Sequence, residues 1–301
     1  MNHSASLTSL LSAFARAYHT EHETAPVFAD PIAKKLITAD EYSAIGEYIL
    51  SGIDFFAPEK KGAFASRGDA LRYLVYTQIA PTPLARARFC EDSLKTAVLT
   101  GTKQYVILGA GMDSFAFREP EFMKNCMVFE ADHPLTQSDK IKRIVHAGLK
   151  IPDNVYFIPI DFGTDSLKEK LLHAGFQRNK KTLFSWLGVS YYLSDDQIEN
   201  MLDSLADISA EGSSLIFDYA DEKLFVSDKK RVQNMIAMAA ASGEPMKSCF
   251  GYAALEKLLD RHRFLIYELL SADDIQQNYF IGRGTDLNAF EHIGLVNAVL
   301  K

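Results

Sequence analysis

The sequence predicts an α/β protein built on a doubly wound, mostly parallel sheet. Two observations carry this. From Lys103 onward, short apolar runs rich in β-branched residues alternate with stretches of helical periodicity, the pattern of strands covered on both faces by helices. The first run, Tyr105-Val106-Ile107-Leu108, stops at Gly109-Ala110-Gly111 and is followed by a helical pattern over 112–117. Two glycines one residue apart let the backbone turn sharply and leave no Cβ in a ligand's way. A strand, a glycine turn and a helix in that order make half of a nucleotide-binding βαβ unit.

Residues 1–100 read as a helical extension ahead of the sheet. Leu7, Leu10, Leu11 and Phe14 repeat at helical spacing until Pro26 ends the element. Asp30-Pro31 opens the next, with Ile32, Ala33, Leu36 and Ile37 on one face. Residues 51–68 mix Gly, Pro and Lys with isolated aromatics and read as a loop. Pro81 and Pro83 punctuate the entry to a helix over 84–100, which Gly101 ends.

Strands are expected at 105–108, 127–131, 155–160, 182–189, 213–218, 264–270 and 279–282, seven in all. Ser194 reads as the N-cap of a helix with Asp195 and Asp196 in its first turn, where negative charge suits the dipole. A second helix is expected over 164–174. After Asp218 the alternation breaks into a mostly helical insertion over 221–262. The whole chain, 1–301, is read as a single domain.

Composition narrows the functions. The chain has 301 residues, 48% hydrophobic, and a net charge of −7. That charge argues against nucleic acid or an anionic membrane as the main partner, since both need a basic face. Cys90, Cys126 and Cys249 are odd in number and far apart, so neither a disulfide framework nor a zinc site follows, and a reducing cytoplasm is the simplest setting. The first nineteen residues carry no continuous apolar core, so no secretory signal is expected, and no apolar run is long enough for a membrane span.

The chemistry is expected at the carboxyl ends of the strands, where open parallel sheets bind ligands. The first strand ends in Gly109-Ala110-Gly111, the second in Glu130-Ala131-Asp132, the third in Asp161-Phe162. An acid after the second strand can accept both ribose hydroxyl hydrogens. An acid after the third can accept from an amine, and its aromatic neighbour can pack on a flat base. Together they point to an adenosine-bearing cofactor.

Two rivals fit less well. A nicotinamide oxidoreductase would use the glycine pair, but the third glycine of its fingerprint is missing and Asp161-Phe162 has no role. A serine hydrolase would use Gly188-Val189-Ser190, but Tyr192 replaces the second glycine of the elbow. His19 and His22 share a helical face without further ligands, so no metal is expected.

Several blocks then carry a family resemblance. LGAGMDSFAFR (108–118), FEADHP (129–134) with Lys140 after it, PIDF (159–162) and SWLGVSYYL (185–193) are joined upstream by FARA (14–17), ADP (29–31) and ARARFCED (85–92). Together they resemble the leucine-carboxyl-methyltransferase-like family of S-adenosylmethionine-dependent methyltransferases, and are most similar to its bacterial O-methyltransferase branch, often linked to polyketide-type small molecules. The likeness runs from about residue 10 to 220.

The resemblance implies a class I, Rossmann-like methyltransferase fold, S-adenosylmethionine as cofactor and a small-molecule acceptor. It also implies roles. Gly109, Ala110 and Gly111 pass the methionine portion. Arg86 pairs with the methionine carboxylate, and Arg16 serves the same pocket or an ion pair within the helical extension. Asp132 holds the ribose hydroxyls, with Glu130 the second choice, and Asp161 and Phe162 flank the adenine. The pattern departs at Leu187, where carboxyl methyltransferases of the family have a glutamate. Leucine can neither ionise nor accept a hydrogen bond, which weakens a protein-phosphatase carboxyl methyltransferase more than a methyltransferase in general and keeps open a cofactor-binding module without transfer activity. No catalytic base is named from the sequence.

Overall fold

The computed structural model describes residues 7–118, 121–241 and 243–301. The first six residues of the N-terminal stretch and residue 242 of the predicted insertion lie outside the described residues.

The helical extension comprises α1 (Leu7–His22), α2 (Ala39–Ser51), α3 (Ile53–Phe56), α4 (Arg67–Leu74) and α5 (Pro81–Leu99). Strands and helices then alternate: β1 (Gln104–Leu108), α6 (Phe115–Arg118), β2 (Met127–Asp132), α7 (Pro134–His146), β3 (Val155–Pro159), α8 (Leu167–His173), β4 (Thr182–Trp186), α9 (Asp195–Ile208) and β5 (Ser214–Ala220). The chain closes with α10 (Lys230–Ala241), α11 (Tyr252–Arg261), β6 (Phe264–Leu270), α12 (Ala272–Ile275) and β7 (Ile293–Leu300).

The seven strands form one sheet in the order β3-β2-β1-β4-β5-β7-β6. The first five are mutually parallel, and β7 runs antiparallel to both neighbours. Strand order reverses between β1 and β4, so a crevice opens beyond their carboxyl ends. Burial on β1 alternates with the pleat: Tyr105 and Ile107 enter the core shared with α1 and α5, while Val106 and Leu108 enter the opposite core with α8 and α9. A strand buried on both faces has to be apolar throughout, hence its unbroken run.

The Ser194 N-cap is present, with a reciprocal bond from Gln197 that completes a capping box. Four expectations are corrected. The strand expected at 279–282 is instead a π-turn, Gln276–Phe280, and the last strand is Ile293–Leu300. Asn297 is buried within β7 and breaks the apolar run that would have marked it. The strand expected to reach 189 stops at Trp186, because Gly188 turns the backbone at φ 74°. The stretch 51–68 holds α3 and the turn Pro58–Lys60 as well as loop. Of the helical stretch 221–262, α11 packs Leu255, Leu258 and Leu259 onto the sheet as an ordinary crossover helix, whereas α10 and the short turn Leu224–Val226 pack in a separate cluster.

Candidate active site

A cavity of about 430 Å³ lies beyond the carboxyl ends of β1, β2 and β4. Its floor is the glycine turn. Gly109 and Gly111 have φ of 72° and 49°, a region costly for any residue with a Cβ. A Cβ on Gly111 would also stand 3.0 Å from the Ser9 Cβ of α1. The turn is hooked to β2, since the Gly109 and Ala110 amides donate to the Ala131 carbonyl at 2.8 and 3.2 Å.

Asp132 ends β2 with its carboxylate on the cavity wall. Its Oδ2 accepts from the Gly111 amide at 2.5 Å and its Oδ1 from the His133 amide at 2.6 Å. Burial pushes its pKa up, and those two amides work against the shift. The acid is thus fixed beside the bare backbone with lone pairs left for a ligand.

The roof comes from the helical extension. Arg16 on α1 lines the cavity, but all its nitrogens are engaged: Nε with Asp30 at 2.8 Å, Nη1 with the Ser12 hydroxyl at 2.9 Å, Nη2 with the Met112 carbonyl at 2.6 Å. Asp30 is fully buried and also accepts from Ser114 Oγ at 2.6 Å, with Arg118 at 3.4 Å. Burial alone would raise the Asp30 pKa, but Arg16 and Arg118 overcome it and hold the carboxyl below its ordinary value. Arg118 continues to Glu91 on α5. This network fastens α1 and α5 over the glycine turn.

Arg86, one turn before Glu91, is differently placed. Its Nη1 meets Asp218 Oδ2 at 3.1 Å across the crevice, and its guanidinium lies on the backbone of Gly188. A Cβ there would fall 2.4 Å from Nη1. Asp218, fully buried two residues before the end of β5, also accepts from the Gly188 amide at 2.6 Å and the Tyr191 hydroxyl at 3.3 Å. Burial opposes the charge on Arg86, but Asp218 and Tyr191 more than compensate and keep it protonated.

Deeper in, Cys90, Tyr105 and Ser185 line the cavity as a polar chain, with Tyr105 Oη 3.0 Å from Ser185 Oγ and 3.5 Å from Cys90 Sγ. Burial pushes the Cys90 thiol up to about 12, so it stays protonated and is no nucleophile.

A second cavity, of about 160 Å³, adjoins the first and shares Ser12, Pro83, Arg86, Gly188 and Tyr192 with it. Its remaining wall is largely apolar, with Met235, Met238, Met246, Phe290 and Ile293.

Of the residues assigned from the sequence, Arg16, Arg86, Gly109, Ala110, Gly111 and Asp132 come together around the main cavity. Glu130 lines neither cavity. It is fully buried, pairs with Lys140 and is held above its ordinary pKa by burial. Asp161 and Phe162 follow β3, two strands out from β1, and line neither cavity. Phe162 is 40% exposed, and Asp161 Oδ1 accepts from the Gly163 amide at 2.9 Å. Leu187 lines the main cavity and packs on the core. His19 accepts from the Val27 amide at 2.9 Å, His22 stacks on Tyr18, and among the described residues no three ligand-type side chains gather to hold a metal.

Sequence reasoning missed Asp30, Gly188 and Asp218 as members of the site. Asp218 carries the signal used for Asp132, an acid at a strand tip. Asp30 and Gly188 fall inside the ADP and SWLGVSYYL blocks, but nothing local to them assigns a role, since their contacts with Ser114, Arg118 and Arg86 lie far away in sequence.

A seven-stranded sheet in this order with its last strand reversed, and a ligand-sized cavity at the glycine turn, define a Rossmann-like methyltransferase fold. Solved structures agree: a DUF574 family protein from Streptomyces avermitilis MA-4680 superposes with a TM-score of 0.58 at 12% identity, covering 96% of this chain and 97% of that one. A candidate methyltransferase from Thermobifida fusca YX gives 0.53 at 12% identity, over 99% and 95% of the two chains.

The chain belongs to the leucine carboxyl methyltransferase family, whose model matches residues 9–206. It is 46% identical over 299 residues, 98% of each chain, to a Bacillus subtilis (strain 168) protein, YktD, named as a candidate S-adenosyl-L-methionine-dependent methyltransferase. A similarly named protein from Mycolicibacterium gilvum (strain PYR-GCK) is 32% identical over 217 residues, 69% of this chain and 64% of that one.

Proposed function

We propose that the protein transfers a methyl group from S-adenosylmethionine to an oxygen of a small molecule, a hydroxyl or a carboxylate. The observation that carries this is the junction of the two cavities at Arg86, Gly188 and Tyr192: a donor in one and an acceptor in the other would meet there. The residues present fit the cofactor. The bare Gly109-Ala110-Gly111 turn leaves room for its methionine portion, Asp132 offers a fixed carboxylate to the ribose hydroxyls, and Arg86 offers a held guanidinium to the methionine carboxylate. The adenine would extend past Asp132 toward Asp161 and Phe162, whose ring is exposed enough to pack on a base. Arg16 and Glu130 support the site from behind: Arg16 holds the roof, and Glu130 with Lys140 fixes β2.

When bound, the cofactor supplies a sulfonium methyl: the oxygen–methyl bond forms as the carbon–sulfur bond breaks, and sulfur keeps the electron pair. The protein's part is to align the reacting atoms and exclude water. Asp218 holds Arg86 and, through the Gly188 amide, the turn after β4. A carboxylate acceptor brings no proton. A hydroxyl acceptor's proton would pass to Glu244, a cavity-lining carboxylate with no ion-pair or hydrogen-bond partner for its side chain among the described residues. Wide cysteine spacing suits our assignment to the cytoplasm; among the described residues no helix is long and apolar enough to cross a membrane.

The test is incubation with methyl-labelled S-adenosylmethionine and a panel of small phenols, alcohols and acids, with products read by mass spectrometry. Labelled ether or ester products are expected. Label appearing only on nitrogen or sulfur would contradict the oxygen assignment.

A further inference from the structure

We propose that the second cavity is the acceptor site and that it selects a compact aromatic acceptor, one ring in size, bearing an acidic oxygen such as a phenol or an aryl carboxylic acid. This rests on the transferase reading above and adds the substrate class.

Three observations carry it. The first is size. An apolar cavity of about 150 Å³ accommodates one benzene ring, and this one measures about 160 Å³. The second is lining. Met235 and Met238 share a face of α10, and Met246, Phe290 and Ile293, each under 10% exposed, complete the wall. Methionine is polarizable and adaptable, and its sulfur makes favourable contacts with aromatic ring edges. Arg86 is the charged residue of this lining, and it lies at the mouth shared with the main cavity. A ring in the methionine wall would therefore direct an anionic or acidic oxygen toward the mouth that the two cavities share at Gly188 and Tyr192, within the positive field of Arg86. Tyr192 stands at the same mouth. Its hydroxyl has no hydrogen-bond partner among the described residues, and burial holds it up at about 12, so it meets the acceptor as a neutral donor.

The third observation is that the wall is fixed in place. Arg231 of α10 donates through Nε to the Thr77 carbonyl at 2.5 Å, through Nη1 to Ala289 at 3.0 Å and through Nη2 to Asn288 at 2.9 Å. Its guanidinium also lies 4.1 Å from the centre of the Phe290 ring. One side chain thus joins α10, the π-turn Val75–Ile79 and the segment before β7, each of which supplies part of the lining. Asn234 ties α10 to the Phe55 carbonyl at 3.0 Å. Interruptions of this π type recur at functional sites. A peptide carboxylate would need several polar partners for its backbone; away from the shared mouth this wall offers Gln78 and Thr82 among mostly apolar groups.

The test uses the full chain with methionine methyl groups labelled with carbon-13, saturated with S-adenosylhomocysteine. The chain has 8 methionines, few enough to assign singly. Titrating 4-methylphenol and, separately, benzoate should move the Met235, Met238 and Met246 methyl signals saturably, and a four-residue peptide ending in leucine should not. In Met238→Trp, which fills the cavity, the dissociation constant of the ring probe should rise at least tenfold, with S-adenosylhomocysteine affinity held within twofold. Met238→Leu should bind the probe within threefold of the native chain. The proposal is overturned if neither ring probe moves the three methionines, if the peptide moves them instead, or if Met238→Trp binds the ring probe normally. Failure of the native chain to bind S-adenosylhomocysteine would sink the transferase reading itself, which keeps the two failures apart.

Discussion

Arg86 on α5 and Asp218 near the carboxyl end of β5 meet at 3.1 Å over the backbone of Gly188, and so join the helical roof to the sheet at the point where the two cavities touch. Asp218 is fully buried, and a partner removed from a buried pair leaves an uncompensated charge. Asp218→Asn should therefore lower unfolding free energy by about 3 kcal/mol. Chemical denaturation checks this. An unchanged midpoint would mean that Arg86 finds another partner.

Arg86 itself is expected to serve the methionine end of the cofactor. Arg86→Ala should weaken S-adenosylhomocysteine by about tenfold or more, the loss of one charge-assisted hydrogen bond of about 1.5–3 kcal/mol. Adenosine, lacking that carboxylate, should bind as before. Equal losses for both ligands would contradict the assignment.

Asp132→Ala removes the fixed carboxylate beside Gly111. Two ribose hydrogen bonds to a charged acceptor are together worth about 3 kcal/mol or more, so affinity should fall about a hundredfold. Retained affinity would move the ribose contact to another group.

Gly188→Ala is expected to cost both stability and cofactor binding. The residue sits at φ 74°, and its new methyl would meet Arg86 Nη1 at 2.4 Å. A variant with native melting temperature and native affinity would show that the Arg86 contact is dispensable.

His19 gives the extension a pH signature. Burial lowers its pKa to about 4 from the ordinary 6.5, so the unfolded chain takes the proton first as pH falls. Its contribution is full above pH 6.5 and fades as pH drops toward 4, by about 1.4 kcal/mol per unit. Between pH 7 and 5 the native chain should lose about 2 kcal/mol through this residue. His19→Gln should lose less over the same interval, as thermal melts at the two pH values would show.

Much of the architecture was legible in the sequence because the inner strands of the parallel half, β1, β2, β4 and β5, are buried on both faces and so are mostly apolar. The placement of the glycine turn and Asp132 at the cavity was legible for a related reason: it depends on backbone shape and chain position at a strand tip. β7 was not, because an antiparallel strand with a buried Asn297 breaks the apolar run. Asp30 and Gly188 were not, because their partners lie far along the chain: Asp30 finds Ser114 and Arg118, and Gly188 finds Arg86. The apolar second cavity was not, since its wall draws on the π-turn Val75–Ile79, α10 and the residues before β7. Methionines spaced three apart on a helix look the same in sequence whether they face a core or a cavity.

The central claim is that the strand tips of β1 and β2, under the roof of α1 and α5, bind S-adenosylmethionine. Titration calorimetry of the purified chain with S-adenosylhomocysteine and with NADH tests it most directly. The account predicts one site per chain with micromolar affinity for S-adenosylhomocysteine and no heat from NADH. Saturable NADH binding with silence toward S-adenosylhomocysteine would contradict it.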